Sequence, residues 1–240
     1  MGAVLRREFS SFFKSPIGYV FLAAYYLIAG FLFYVTVASY TTQTSFIFYY
    51  LFYASCILLP ILTMKLFSDE KKQKTDQLLL TSPVTLTSLV YGKFFATFFI
   101  YGIGVGITLV FSLILAAFNS VDWMVVIGNI LGLLLIGAAI IAIGILISSL
   151  TESQIVAIIL TLAVSLFLLM MDMLASAISS LMSLLGVTVS SDFANSISIS
   201  QRYNDFTSGI LDISNVIFFV SIVVVFNFIT VRILEKRRWN

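Results

Sequence analysis

The sequence predicts an all-α, polytopic membrane protein of six transmembrane helices, and three observations lead there. First, 60% of the 240 residues are hydrophobic and 10% are charged, a balance outside what soluble domains of this size carry. Second, uncharged apolar stretches recur along the chain at the length of about 20 residues that a helix needs to cross a bilayer. Third, 12 of the 13 Lys and Arg residues fall in clusters that never interrupt such a stretch: Arg6, Arg7 and Lys14; Lys65, Lys71, Lys72, Lys74 and Lys93; Arg232, Lys236, Arg237 and Arg238. Only Arg202 lies elsewhere. Basic residues near span ends are retained in the cytoplasm, so all the clusters share that side. Both termini are then cytoplasmic, and the number of spans is even. No stretch remains for a separate soluble domain, so residues 1–240 read as a single transmembrane domain.

The elements follow in order. Residues 1–16 precede span one at 17–40, which is too long for the ~7 to 15 apolar residues of a cleaved signal core. The polar link Thr41 to Ser45 turns the chain outside into span two, 46–64. A cytoplasmic segment, 65–93, precedes span three at 94–118. Asn119 to Asp122 make a tight outer turn, and Trp123 opens span four, 123–150, at the interface where indole rings prefer to sit. Thr151 to Gln154 form the second inner turn before span five, 155–172. The apolar run continues past Asp172 to Val187, too long for one span and too short for two. We read a span ending near Asp172, then re-entrant outer helices and loop over 173–212, tolerated where protein covers the backbone. Span six is 213–231.

The residue types exclude several chemistries. The chain has no histidine and one cysteine, Cys56, which removes His or Cys metal sites, Ser-His and Cys-His catalysis, and intrachain disulfides. No catalytic residue is expected. Acidic pairs at helical spacing are missing from the spans; Asp172 comes nearest, read as a solvated helix end in preference to a relay. A phosphate-binding loop fails at its hydroxyl position, because Gly92-Lys93 is followed by Phe94. The net charge of +2 reflects the cytoplasmic clusters, and no nucleic-acid partner is expected.

Residues 65–93 depart from a generic bundle. Glu70 and Lys74 at i,i+4 support a helix prolonging span two. Leu78, Leu79 and Leu80 follow, then Pro83, which ends any helix and holds Ser82 extended. Thr85 or Thr87 caps the next helix. The leucine triplet has two readings of equal weight: a knob for a groove on a soluble partner, or an interfacial helix with its leucines in lipid.

Several stretches resemble the permease subunit of ABC-2 type ATP-binding cassette exporters, in particular the gliding-motility and nitrous-oxide-gene subgroup. They are Arg7 to Tyr19 with Ser15-Pro16-Ile17-Gly18-Tyr19, Glu70-Lys71 with Thr75 to Val84, Ser148 to Gln154, and Phe206 to Asp212 with Glu235 to Trp239. Lys74 departs from the family pattern, where glycine is expected before Thr75. The resemblance implies a permease that moves a substrate outward by alternating access or lateral opening in a bacterial inner membrane. It pairs with a second permease subunit, as homo- or heterodimer, and is powered by an ATP-binding cassette ATPase subunit that holds ATP and Mg, with no cofactor in this chain. Glu70, Lys71, Thr75, Asp76, Gln77, Leu78, Leu79, Leu80, Ser82 and Pro83 would couple to that ATPase, with Thr151 and Glu152 beside them. Arg6, Arg7, Phe9, Phe12, Phe13 and Lys14 would form the interfacial helix against membrane lipid. A membrane anchor that recruits an ATPase for mechanical transmission is the alternative. Gly102, Gly104, Gly106, Gly128 and Gly132 allow close helix approach, with bundle packing favoured over substrate contact. Tyr25, Tyr26, Tyr49, Tyr50 and Tyr53 line a pathway or form an interfacial belt. An uncharged interior argues against small inorganic ions and leaves lipid-like, peptide or saccharide cargo open.

The charge pattern yields a topology test. With Cys56 replaced by Ala, single cysteines at Lys72 and Asn240 should react with an impermeant maleimide only after the cells are lysed. Labelling of either in intact cells contradicts the six-span topology.

Overall fold

A computed structural model describes residues 2–39, 44–74, 85–118, 121–184, 199–209 and 212–239. These residues form helices α1 (Gly2–Lys14), α2 (Pro16–Ala38), α3 (Thr44–Thr63), α4 (Lys65–Lys72), α5 (Leu86–Phe118), α6 (Trp123–Leu150), α7 (Gln154–Leu184), α8 (Ile199–Thr207) and α9 (Ile213–Trp239), with no strand among the described residues. Six helical stretches are long and apolar enough to cross a membrane: α2, α3 running on through α4, α5, α6, the first part of α7, and α9. The protein is an all-α, multi-pass membrane bundle.

Local chemistry sets most helix limits. Pro16 opens α2 where its missing N–H costs nothing. Asp122 caps α6, its carboxylate accepting from the Met124 N–H at 3.0 Å. Pro60 lies inside α3, and only Met64, itself in helical conformation, separates α3 from α4. Helix α5 begins at Leu86, directly after Thr85, one of the two residues read as its cap, and Leu86, Leu89, Val90, Gly92 and Lys93 are all buried against protein. One limit differs from expectation. Helix α7 does not end near Asp172 but runs unbroken to Leu184. It contains no Gly or Pro to stop it, and its 31 residues span about 46 Å against about 30 Å of hydrocarbon. The apolar run beyond Asp172 thus begins as an extension of span five; residues 185–198 lie outside the described residues.

The centre of the bundle is α3 with α4 and α6, buried over 67% and 72% of their apolar windows, whereas α2, α7 and α9 are buried over 28%, 17% and 22% and form the periphery. Small residues on α6 let its neighbours approach closely. A Cβ at Gly137 would stand 2.0 Å from the Tyr101 ring, one at Gly144 would stand 2.3 Å from Thr63, and one at Gly132 would meet Tyr203 and Phe206 at 3.0 Å. Of the glycines singled out from the sequence, Gly132 packs in this way and Gly104 lies against Tyr25, while Gly102 and Gly106 face open space. The tightest approaches, at Gly137 and Gly144, escape sequence reading because an isolated helical glycine carries no mark of its partner.

Several polar groups inside the bundle find partners across helices. The Tyr101 hydroxyl lies between Ser55 Oγ at 3.1 Å and the Leu133 carbonyl at 3.0 Å, and Ser165 donates to the Cys56 carbonyl at 3.0 Å. Helix α8 dips its Tyr203 side chain between α3 and α6, where the hydroxyl meets the Phe48 carbonyl and Asn129 and the ring stacks on Phe52 at 4.7 Å. That places Arg202, on α8, at the end of the bundle where α3 and α6 begin. The other basic residues gather at the opposite end, hereafter the basic end: α1 packs on the start of α5, and the end of α9 lies beside Thr85, Leu86 and Thr87 through Glu235 and Arg238.

Gly137→Ala should force the Tyr101 ring aside and lower stability by about 1 to 3 kcal/mol. Gly106→Ala, with nothing within 4 Å of the new methyl, should leave it unchanged. Thermal melts of the two detergent-solubilised variants check this.

Candidate functional site

The polar residues that an apolar bundle has to neutralise are concentrated at the basic end. Lys93 stands in the second turn of α5 with 1% of its side chain exposed. Its ammonium donates to Glu70 Oε1 on α4 at 2.8 Å and to the Leu66 carbonyl at 2.7 Å, pairs with Glu8 Oε1 on α1 at 3.3 Å, and lies 5.0 Å from the centre of the Phe67 ring. Arg7 completes the group, donating to Glu8 at 2.6 Å and lying 3.7 Å from Glu70. The hydrogen bond with Glu8 pushes the Arg7 pKa up, against the opposing effect of partial burial. Two cations and two carboxylates from α1, α4 and α5 therefore balance within one cluster. Close approach of α1 makes this possible: Gly92, next to Lys93, has no side chain, and a Cβ there would stand 2.8 Å from Val4.

On its other side, α4 is fastened to the junction of α6 and α7. Ser148 Oγ accepts from the Phe67 and Ser68 N–H groups at 3.0 and 3.1 Å and donates to the Met64 carbonyl at 2.9 Å, capping the first turn of α4 from a distant helix. Lys71 donates to the Ser149 carbonyl, and Gln154 donates to Asp69. Lys65 reaches back to Ser15 and over the Phe12 ring at 5.3 Å. Between α1 and α4 a cleft of about 450 Å³ opens, walled by Arg7, Ser11, Lys65, Asp69 and Gln73, with Glu8, Glu70 and Lys93 at its floor. Among the described residues no group of His, Cys, Asp or Glu is arranged to hold a metal ion.

Residues 27–239 match the family described as ABC-2 family transporter protein. The chain belongs to the ABC-2 transporter family. No curated protein matches it closely enough to name as a relative. The ABC-2 protein is therefore a membrane-spanning permease component of a transport system.

Of the residues expected to couple the permease to a partner, Glu70 and Lys71 lie in α4 within the charged cluster and its anchor. Thr75, Asp76, Gln77, Leu78, Leu79, Leu80, Ser82 and Pro83 lie outside the described residues. Thr151 is half-buried and donates to the Ile147 carbonyl, and Glu152 is exposed; the neighbouring Ser148, Ser149 and Gln154 are the residues that hold α4. In α1, Arg6, Arg7 and Lys14 are exposed, Phe9 and Phe13 are half-buried, and Phe12 is fully buried, so much of the apolar face of the helix is covered by protein. Glu70 does not rely on the expected i,i+4 pairing with Lys74. Helix α4 ends at Lys72, and Lys74 adopts φ 56°, the left-handed conformation that favours glycine. The position where the resemblance led us to expect glycine is thus a helix stop with positive φ.

Lys93, Glu8 and Ser148 were missed as site residues. One signal for Lys93 was in the sequence: a lone cation seven residues into an otherwise uncharged helix requires a partner. Ser148→Ala should leave the buried Phe67 and Ser68 donors without their acceptor and destabilise the permease by about 1 to 3 kcal/mol. Chemical unfolding in detergent checks this, with exposed Ser214→Ala as the control expected to show no loss.

Proposed function

We propose that this chain is the permease subunit of an exporter powered by a separate ATP-binding cassette ATPase, which binds ATP and Mg and docks at the basic end. The observation that carries this reading is the continuity of α3 with α4 through Met64, which joins the charged segment to a central, deeply buried span. A displacement of α4 by a docked partner has a direct path into the bundle. The basic end then faces the cytoplasm of a bacterial cell, in keeping with the retention of Lys and Arg on that side, and both termini lie there. The leucine triplet 78–80, which follows α4 in the sequence, supplies an apolar knob for the docked ATPase. A second permease subunit completes the pathway, with the thinly buried α2, α7 and α9 facing it or lipid.

The tyrosines singled out from the first two spans divide in their surroundings. Tyr25 is fully buried, and Tyr26 donates to the Ile103 carbonyl at 3.0 Å. Tyr49 and Tyr50 are exposed on α3, with the Tyr49 and Tyr53 hydroxyls 2.9 Å apart, toward the end opposite the basic clusters. Aromatic faces carrying hydroxyls suit a lipid-like, peptide or saccharide cargo better than a bare ion.

Replacing Leu78 and Leu79 by Asp places unpaired charge in the docking groove and should cost on the order of 2 to 5 kcal/mol of docking energy. Co-purification of the ATPase should collapse while the permease inserts normally. An unchanged ATPase yield puts the leucines in lipid and removes the docking reading.

A further inference from the structure

The helices at the basic end fall into two groups. Helix α4 packs against α6 and α7, whereas α1 packs against α5 and α2. The two groups meet across the cleft between α1 and α4, and long side chains span it: Lys65 from α4 to Ser15 and Phe12, and Lys93 from α5 to Glu70 and Leu66 on α4 and to Glu8 on α1. Lys93 differs from Lys65 in being fully enclosed and in joining three helices at one atom.

We propose that Lys93 is a positioning residue that makes α5 and α1 follow α4, so that a displacement of the coupling segment reaches span three as well as span two. This rests on the docking reading above. The physical ground is that an enclosed ammonium cannot part from its carboxylates without leaving charge unneutralised in a poorly solvated site, so separation of α4 from α5 is resisted more strongly than the sparse packing between them would allow. Glu70 is the carboxylate that carries the link to α4; Glu8 adds α1 to the same joint, and Arg7 keeps the pair of carboxylates neutral when they close on a single lysine. Gly92 sets the register, since the contact of Val4 with its bare backbone holds Glu8 within reach of Lys93. Span three, which α5 carries, packs on α6 and α2 and so would carry the motion to both the centre and the periphery of the bundle.

The test uses the full chain in nanodiscs with Cys56→Ala and spin labels at Lys72→Cys on α4 and Thr87→Cys on α5, both exposed positions. The parent should give one narrow distance distribution. Lys93→Met should broaden it at least twofold, and Lys93→Arg, which keeps the charge toward Glu70 and Glu8, should leave it narrow, which a merely structural role for the lysine stem would not produce. Because Lys93→Met alone risks misfolding, Lys93→Arg also serves as the folded comparison. In the complex with the ATPase that co-purifies, Lys93→Met should keep the ATPase bound but reduce permease-dependent stimulation of ATP hydrolysis about tenfold, with stimulation kept in Lys93→Arg. A narrow distribution in Lys93→Met, a broad one in Lys93→Arg, or full stimulation in Lys93→Met overturns the proposal. Absence of any co-purifying ATPase counts against the docking reading instead, and the distance measurement still decides the joint.

Discussion

A lysine ammonium enclosed by protein at the edge of an apolar bundle has to be neutralised where it stands, and the basic end of this permease is arranged around that requirement. Lys93 obtains a carbonyl from α4 and carboxylates from α1 and α4. Satisfying it ties α4, whose backbone packs mainly on α6 and α7, to α1 and α5, which pack on each other.

Within the apolar part, association rests on close fit, since lipid tails compete for apolar side chains as well as other helices do. Helix α6 meets this by presenting glycine to bulky partners: Gly137 to Tyr101, Gly144 to Thr63, Gly132 to Tyr203 and Phe206. Each close approach also brings a hydroxyl near a backbone carbonyl. Tyr101 reaches Leu133 one turn from Gly137, and Tyr203 reaches Phe48 across from Gly132. Packing and polar satisfaction are thereby served by the same contacts, and they join the outer helix α8 to the central pair α3 and α6.

The coupling region shows how a local sequence signal and its structural meaning can part. Glu70 with Lys74 has the spacing of an intrahelical ion pair, yet Lys74 terminates α4 in a left-handed conformation and Glu70 turns to Lys93. Serines 148 and 149 read as the end of span four, and their role in capping and holding α4 arises because α4 and the end of α6 lie side by side. Leucines 78–80, the most legible knob in the segment, lie outside the described residues, so the apolar half of that region still rests on sequence.

The all-helical class, the six membrane-length stretches and the gathering of basic residues at one end were written in composition and spacing. A bilayer imposes a fixed thickness and excludes unpaired charge, and both demands act on each segment independently of its neighbours. The continuation of α7 through Asp172 and the pairing of Lys93 with Glu8 and Glu70 were decided only by the tertiary structure. They depend on which helix happens to lie alongside, and a contact between residues tens of positions apart leaves no trace in the periodicity of either segment.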